Sequence, residues 1–426
     1  MKAALSAIPH CPSKLPIRYA EPGEFTRRAF QNDRLDLAQV EALSDTLSAE
    51  TEQQRRAAVR GNSGNLGRTY EAWRQQLLYA RGELEALIDF SEDQHFDESP
   101  AELLSSVAAQ VKVMLDSIAS HELASRRGEL LKRGIRISLL GPPNAGKSSL
   151  LNQIVGREAS IVSEEEGTTR DIVEVSLDIR GYLCTFADTA GLRTKSKKSL
   201  GSASVIGAIE QEGIRRAKAK ASESDVIIAL TSIEPTGISG QWGIHYDIET
   251  FSIAEKAQQK LVVINKSDCV PSEVLNSTLT SFRSSLLRFE APLITISCKN
   301  AEKTSKRSDD GNINFLIDHL VKLFEGMTEL PADLEDLLGV TERQRQLLSS
   351  CAQHLNDFIG EAQPSDPSAE ADIVLAAEHL RSAANCLSRI TGRGEAGDVE
   401  EVLGVVFEKH VTLPGLFNSH RFQSSN

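Results

Sequence analysis

The sequence predicts an α/β unit with a mostly parallel sheet, over residues 131–327, set between two helical arms. Three observations predict it. Short β-rich runs alternate with helical patterns from Gly134 onward. Apolar residues recur at helical spacing on both sides of that stretch. A glycine-rich turn, Gly141 to Ser149 (GPPNAGKSS), lies between the first β-rich run and a helical one.

Size and composition are consistent with this plan. A chain of 426 residues is long enough for several domains, each with its own core. Hydrophobic residues make up 40% and charged residues 25%, as in globular proteins. The net charge of −13 argues against a surface that coats nucleic acid, and leaves room for a local basic patch. No apolar run reads as long enough to cross a bilayer. The start, MKAALSAIPHCPSK, resembles neither a secretory signal nor an Arg-rich transit peptide. The cysteines at 11, 184, 269, 298, 351 and 386 form no CxxC pair or metal spacing. This points to a reducing compartment and no zinc site.

From Phe25 to about Ala124 the chain reads as long helices. LDLAQVEALSDTLSAETEQQRRAAVR and WRQQLLYARGELEALIDF carry apolar residues at helical spacing, as in an antiparallel bundle. IRISLL then reads as a strand and SSLLNQIV as a helix. IVEVSLDI, YLCTFAD, DVIIAL, KLVVIN and PLITIS are further strands. TKSKKSLGSAS and the stretch around KTSKRSDDGN are solvated loops. After Pro331 helices return in RQRQLLSSCAQHLNDFI and IVLAAEHLRSAANCLSRITG, joined by the acidic EAQPSDPSAEAD. The two helical arms can pack into one domain around an inserted α/β domain.

The glycine turn fits GxxxxGK[ST], with Gly141, Gly146, Lys147 and Ser148 at the fixed positions. Its glycines let consecutive backbone N–H groups face phosphate oxygens, and the following helix adds its positive end. Asn144, Ala145, Gly146, Lys147, Ser148 and Ser149 are the phosphate-binding candidates. Lys147 brings a charge to the β- and γ-phosphates, and the Ser148 hydroxyl ligates Mg²⁺.

Asn265-Lys266-Ser267-Asp268 follows a strand. A carboxylate at Asp268 can accept from guanine N1–H and the N2 amine, which adenine does not offer in that arrangement. Asn265 ties this loop to the phosphate loop, and the Lys266 stem covers the base. Ser297-Cys298-Lys299 takes the place of a second base loop, whose backbone N–H meets guanine O6. Cys298 is equally compatible with a small buried residue. Asp188-Thr189-Ala190-Gly191 supplies Asp188 to Mg²⁺ through water and the Gly191 N–H to the γ-phosphate. The Gly167–Asp171 loop carries Thr168 and Thr169, whose hydroxyls include a Mg²⁺ ligand present only with GTP, the signature of a switch.

With these motifs in order, the sequence resembles the tRNA-modification GTPase family MnmE/TrmE. GPPNAGKSSLLN, GTTRDIV, DTAGLR and NKSD match that family's forms. So do the flanks YAEPGEFTRRAFQNDRLDL, LEALIDFSED and LSRITGRGEAGDVEEVLGVVF. The resemblance implies a folate-binding domain with residues 1–20 as its remnant, helical parts at 21–130 and 328–426, and the G domain between them. It also implies GTP hydrolysis in tRNA wobble-uridine modification with an FAD-dependent partner of the MnmG/GidA type, G domains that pair in the GTP state, and mitochondrial or bacterial cytosolic location. In the family K⁺ aids hydrolysis, and Asn144 matches its K⁺-ligating Asn; an ordinary turn residue is the alternative. Glu210 in IEQEGIRRA matches the water-orienting Glu, with Glu212 as the nearby alternative. The catalytic candidates are Glu210, Lys147 and Gly191.

Two departures qualify the resemblance. Most of the folate domain is expected to be missing, which puts its one-carbon pocket in doubt. The family's terminal Cys-Ile-Gly-Lys tail is replaced by VTLPGLFNSHRFQSSN, with Val411 where the cysteine would stand. A GTP switch or binding module without modification activity is the alternative reading.

Overall fold

A computed structural model describes residues 20–90, 100–157, 159–165, 174–187, 221–236, 241–285, 291–303, 309–332, 334–363 and 371–392. The N-terminal arm runs through α1 (Glu24–Gln31), α2 (Leu37–Ser48), α3 (Glu52–Gly61), α4 (Asn65–Phe90) and α5 (Pro100–Arg133). Both α2 and α3 start from capping boxes. Asp36 accepts from the Gln39 N–H, and Thr51 from the Gln54 N–H; each glutamine side chain bonds back to its cap.

Helix α5 continues past the boundary drawn at residue 130 to Arg133. It also corrects the reading that no run could cross a bilayer, because Ala101–Arg133 passes by length and composition. Its packing accounts for that composition differently. Leu104, Val107, Val111, Met114 and Ile118 are buried among apolar residues of α4, α11 (Glu342–Ala362) and α12 (Ile373–Thr391). Val113 and Leu123 on its other face are exposed.

The α/β unit runs β1 (Ile135–Leu140), α6 (Lys147–Arg157), β2 (Ala159–Glu165), β3 (Glu174–Ile179), β4 (Tyr182–Ala187), β5 (Val226–Pro235), β6 (Trp242–His245), α7 (Ile248–Glu255), β7 (Gln259–Asn265), α8 (Ser272–Ser285), β8 (Leu293–Thr295), α9 (Cys298–Lys303) and α10 (Ile313–Thr328). The strands lie in the order β2-β3-β4-β1-β5-β7-β8, with β6 on β5. Pairs β4–β1, β1–β5, β5–β7 and β7–β8 are parallel. Strands β2, β3 and β4 pair antiparallel, as β6 does with β5.

The parallel strands are apolar on both faces because helices cover both. Side chains alternate along β5 and β7. Val226, Ile228, Leu230, Leu261 and Val263 enter a core shared with α6 and α10. Ile227, Ala229, Ile233, Val262 and Ile264 enter a second core with Phe251 of α7 and Phe282 of α8.

A third apolar core joins residues from before and after the sheet. Leu66, Tyr70, Leu77 and Leu84 of α4 and the buried face of α5 pack with Leu348, Leu355 and Phe358 of α11 and Leu380, Leu387 and Ile390 of α12. Polar contacts mark where α5 meets the sheet. Arg133 donates to both Asp225 carboxylate oxygens, at 3.1 and 2.7 Å. Asp225 Oδ2 also accepts from the Arg136 N–H at 2.8 Å.

Candidate functional site

The phosphate loop leaves the end of β1, a central strand between β4 and β5. Ligand crevices of open parallel sheets form at such carboxyl ends. Backbone crowding dictates the glycines. A Cβ on Gly141 would collide with the Leu230 carbonyl on β5, and one on Gly146 with the Asn265 amide. Gly146 also takes φ 99°, which L side chains rarely adopt. Asn144 is exposed at φ 60°, a left-handed position that asparagine tolerates. Ala145 is fully buried. Lys147 opens α6, and its Nζ donates to the Gly141 and Pro142 carbonyls at 2.7 and 3.0 Å. The ammonium therefore lies over the loop. Ser148 is half-buried and Ser149 exposed on the first helical turn. N–H groups of such a turn attract anions.

Asn265, at the end of β7, is 3% exposed and joins three loops. Its Nδ2 donates to the Ala145 carbonyl at 2.9 Å. Its Oδ1 accepts from the backbone N–H of Lys266 at 2.8 Å and of Cys298 at 3.2 Å. One buried side chain thus sets the phosphate loop, the 265–268 loop and the 297–299 loop relative to one another. Parallel pairing of β7 with β8 brings the last two together, and the Ile296 N–H donates to Ile264 O at 2.8 Å.

Asp268 is oriented from the 297–299 loop. Ser297 Oγ donates to its Oδ1 at 2.6 Å, and Lys299 Nζ lies 3.7 Å from its Oδ2. The Ser297 hydroxyl also accepts from the Asn300 N–H at 3.1 Å, capping α9. Burial pushes the Cys298 thiol up to about 11, so it is a neutral packing group. The Cys298 N–H, at the start of α9, meets the Asn265 carboxamide that also holds the phosphate loop. Thr168, Thr169, Asp188, Gly191, Glu210 and the alternative Glu212 lie outside the described residues, as does Val411. Strand β4 ends at Ala187, paired with Ser138 of β1 next to the phosphate loop.

The family model for the MnmE helical domain matches residues 37–410. The tRNA modification GTPase MnmE of Parvibaculum lavamentivorans is 38% identical over 418 residues, covering 95% of this chain and 79% of that protein. The chain belongs to the MnmE family. A mitochondrial relative, the tRNA modification GTPase MSS1 of Saccharomyces cerevisiae, is 33% identical over 92% of this chain and 70% of its own length. The 5-taurinomethyluridine-tRNA synthase subunit GTPB3, mitochondrial, of Danio rerio is 37% identical over 95% of this chain and 75% of its own.

In this MnmE-family chain the sequence reading missed Glu234 and Gly311. Glu234, near the end of β5, accepts from Lys266 Nζ at 2.7 Å and Ser232 Oγ at 2.9 Å. Lys266 holds its carboxyl below the usual range. Lys266 has φ 65°, so backbone and side chain are both constrained. Gly311 lets its carbonyl accept the Ser297 N–H at 3.0 Å, and a Cβ there would meet Ser297 O and Ala301. Neither residue belongs to a motif. Only the fold brings them to the base loops.

Proposed function

We propose that this chain hydrolyses GTP and acts in tRNA modification, as a helical unit made from residues 21–130 and 328–426 around a G domain at 131–327. One observation carries the reading: a single buried asparagine, Asn265, holds the phosphate loop against both base loops of an MnmE-family chain. Family membership favours tRNA modification over a switch that lacks it.

Each residue then has a task. Asp268 accepts guanine N1–H and the N2 amine, and Ser297 and Lys299 fix its plane. The Lys266 stem covers the base while Glu234 restrains its ammonium. A backbone N–H of the Ser297-Cys298-Lys299 loop, at the start of α9, donates to guanine O6. Lys147 exchanges the Gly141 and Pro142 carbonyls for phosphate oxygens, a modest rotation of a flexible stem. Glu210 orients the attacking water, and the Gly191 N–H binds the γ-phosphate.

The oxygen donors suit hard cations. Mg²⁺ would take the Ser148 hydroxyl with Thr169 and Asp188, and would neutralise phosphate charge. K⁺ would take the exposed Asn144 carbonyl oxygen. The resemblance supports an FAD-dependent MnmG/GidA-type partner and pairing of G domains in the GTP state; the folate one-carbon donor is a property of the family and is not assigned to this chain. Mitochondrial relatives support a mitochondrial location, and the bacterial one supports the cytoplasm as the alternative.

Asp268→Asn tests the site. The amide loses the carboxylate acceptor that reads guanine and gains a donor suited to xanthine. Hydrolysis should fall at least ~100-fold with GTP and recover with XTP. Unchanged preference for GTP would overturn the base-reading assignment. Equal loss with both nucleotides would assign Asp268 a structural task instead.

A further inference from the structure

Helices α11 and α12 form an antiparallel hairpin, with Leu355, Phe358 and Leu380 in the helical core. Beside that core, His354 and Asp357 of α11 meet His379 of α12. Positions 354 and 357 are three apart and therefore share a helix face. One ligand atom from each of the three residues lies within 4.8 Å of the other two. The imidazole centroids are 6.3 Å apart, with the rings 32° from parallel.

Three observations separate this cluster from an ordinary polar surface. Nδ1 of His354 is shielded from solvent and has no hydrogen-bond partner. A shielded ring nitrogen without a partner costs free energy that a ligand can recover. The donors are two imidazoles and one carboxylate, the set that borderline divalent ions take, whereas a cluster of carboxylates alone would only be acidic surface. Asp357 is exposed while both histidines are half-buried, so the group opens to water on one side. Water can complete a tetrahedral or octahedral shell there.

We propose that His354, Asp357 and His379 form a three-ligand site for a first-row divalent transition-metal ion, which clips α11 to α12. The expectation of no zinc site rested on cysteine spacing and did not weigh histidines brought together by a hairpin. The site lies outside the nucleotide-binding motifs, in the hairpin that completes the helical core. An ion there binds the folded hairpin and not the unfolded chain, so it stabilises by mass action.

The test uses the full chain saturated with GDP and Mg²⁺, so that the nucleotide site is filled. Zn²⁺ is titrated calorimetrically, Co²⁺ is followed by its visible d–d bands, and the thermal midpoint is read with and without Zn²⁺. The intact chain should bind one further equivalent and melt higher with Zn²⁺. His379→Ala and His354→Gln should each weaken Zn²⁺ binding at least ~10-fold and abolish the shift, and Asp357→Asn should weaken it less. His379→Gln, closer in size, covers the case in which the alanine variant misfolds. No binding by the intact chain, or equal binding and an equal melting shift in the histidine variants, would overturn the proposal.

Discussion

Asn265 makes three hydrogen bonds from a position almost closed to water, and each end of its amide is used. Removing it leaves the Ala145 carbonyl and the Cys298 N–H without their partner in a buried place. Each orphaned group costs about 1–3 kcal/mol. Asn265→Ala should therefore lower stability by about 2–4 kcal/mol and weaken GTP binding more than ~10-fold, because the loops lose their common reference. Urea midpoints and nucleotide titration measure the two losses. A variant that keeps GTP affinity would show that the loops hold their places without this residue. The asparagine was legible from NKSD, and so was its link to the phosphate loop. Its grip on Cys298 was not, because 33 residues separate them and only parallel pairing of β7 with β8 brings them together. Glu234 was illegible for the same reason, at 32 residues from Lys266.

Among the elements, periodicity revealed the long helices and the apolar central strands, whose patterns are strong. Strands β2 and β6 went unread. β2 (ASIVSEE) ends in polar residues and β6 (WGIH) has four residues, so pairing with β3 and β5 decides both. Periodicity also says nothing of polar groups inside a helical pair. His121 of α5 is buried against α4, with the Tyr70 hydroxyl 3.2 Å from its Nδ1 and the Trp73 ring centroid at 4.9 Å. Burial lowers its pKa from 6.5 to about 4. The unfolded chain therefore takes up a proton between those values that the folded chain refuses. Stability from this group is full above pH 6.5 and is lost as pH falls towards 4. The loss at pH 5 relative to pH 7 should be about 2 kcal/mol. His121→Gln keeps a polar side chain that does not titrate, so its urea midpoint should fall less between pH 7 and pH 5 than that of the intact chain. Parallel slopes in the two proteins would mean that other groups set the acid sensitivity.

Across the whole molecule, contacts of very long sequence separation join the helical arms to each other and to the sheet. Glu41 of α2 is buried because three groups about 300 residues away satisfy it: Arg343 at 2.6 Å, Gln344 at 2.7 Å and Thr341 at 3.2 Å. Arg343 also donates to the Arg389 and Ile390 carbonyls at the end of α12. A further joint is made of backbone. The turn Glu335–Gly339 lies on α3, and a Cβ at Gly339 would stand 2.6 Å from Gly61 Cα and 2.9 Å from Gly61 N. Neither atom can rotate away. Helix α3 carries Ala57 into the α/β core, and the turn carries Leu338 into that core and Leu337 into the helical one, so any shift spreads to both. A Cβ at Gly61 would meet the Ala42 Cβ at 3.1 Å and Gly339 Cα at 3.4 Å, close enough to need only a small adjustment. The added methyl at 61 also brings alanine's helix propensity, about 1 kcal/mol over glycine. The two substitutions are chemically identical and touch the same joint from opposite sides. Gly339→Ala should cost about 1–3 kcal/mol by overpacking, whereas Gly61→Ala should be close to neutral. Denaturant midpoints of the pair decide it. Equal losses would place the constraint in the general mobility of glycine, and a clear difference in this order would place it in the packing of one backbone on the other.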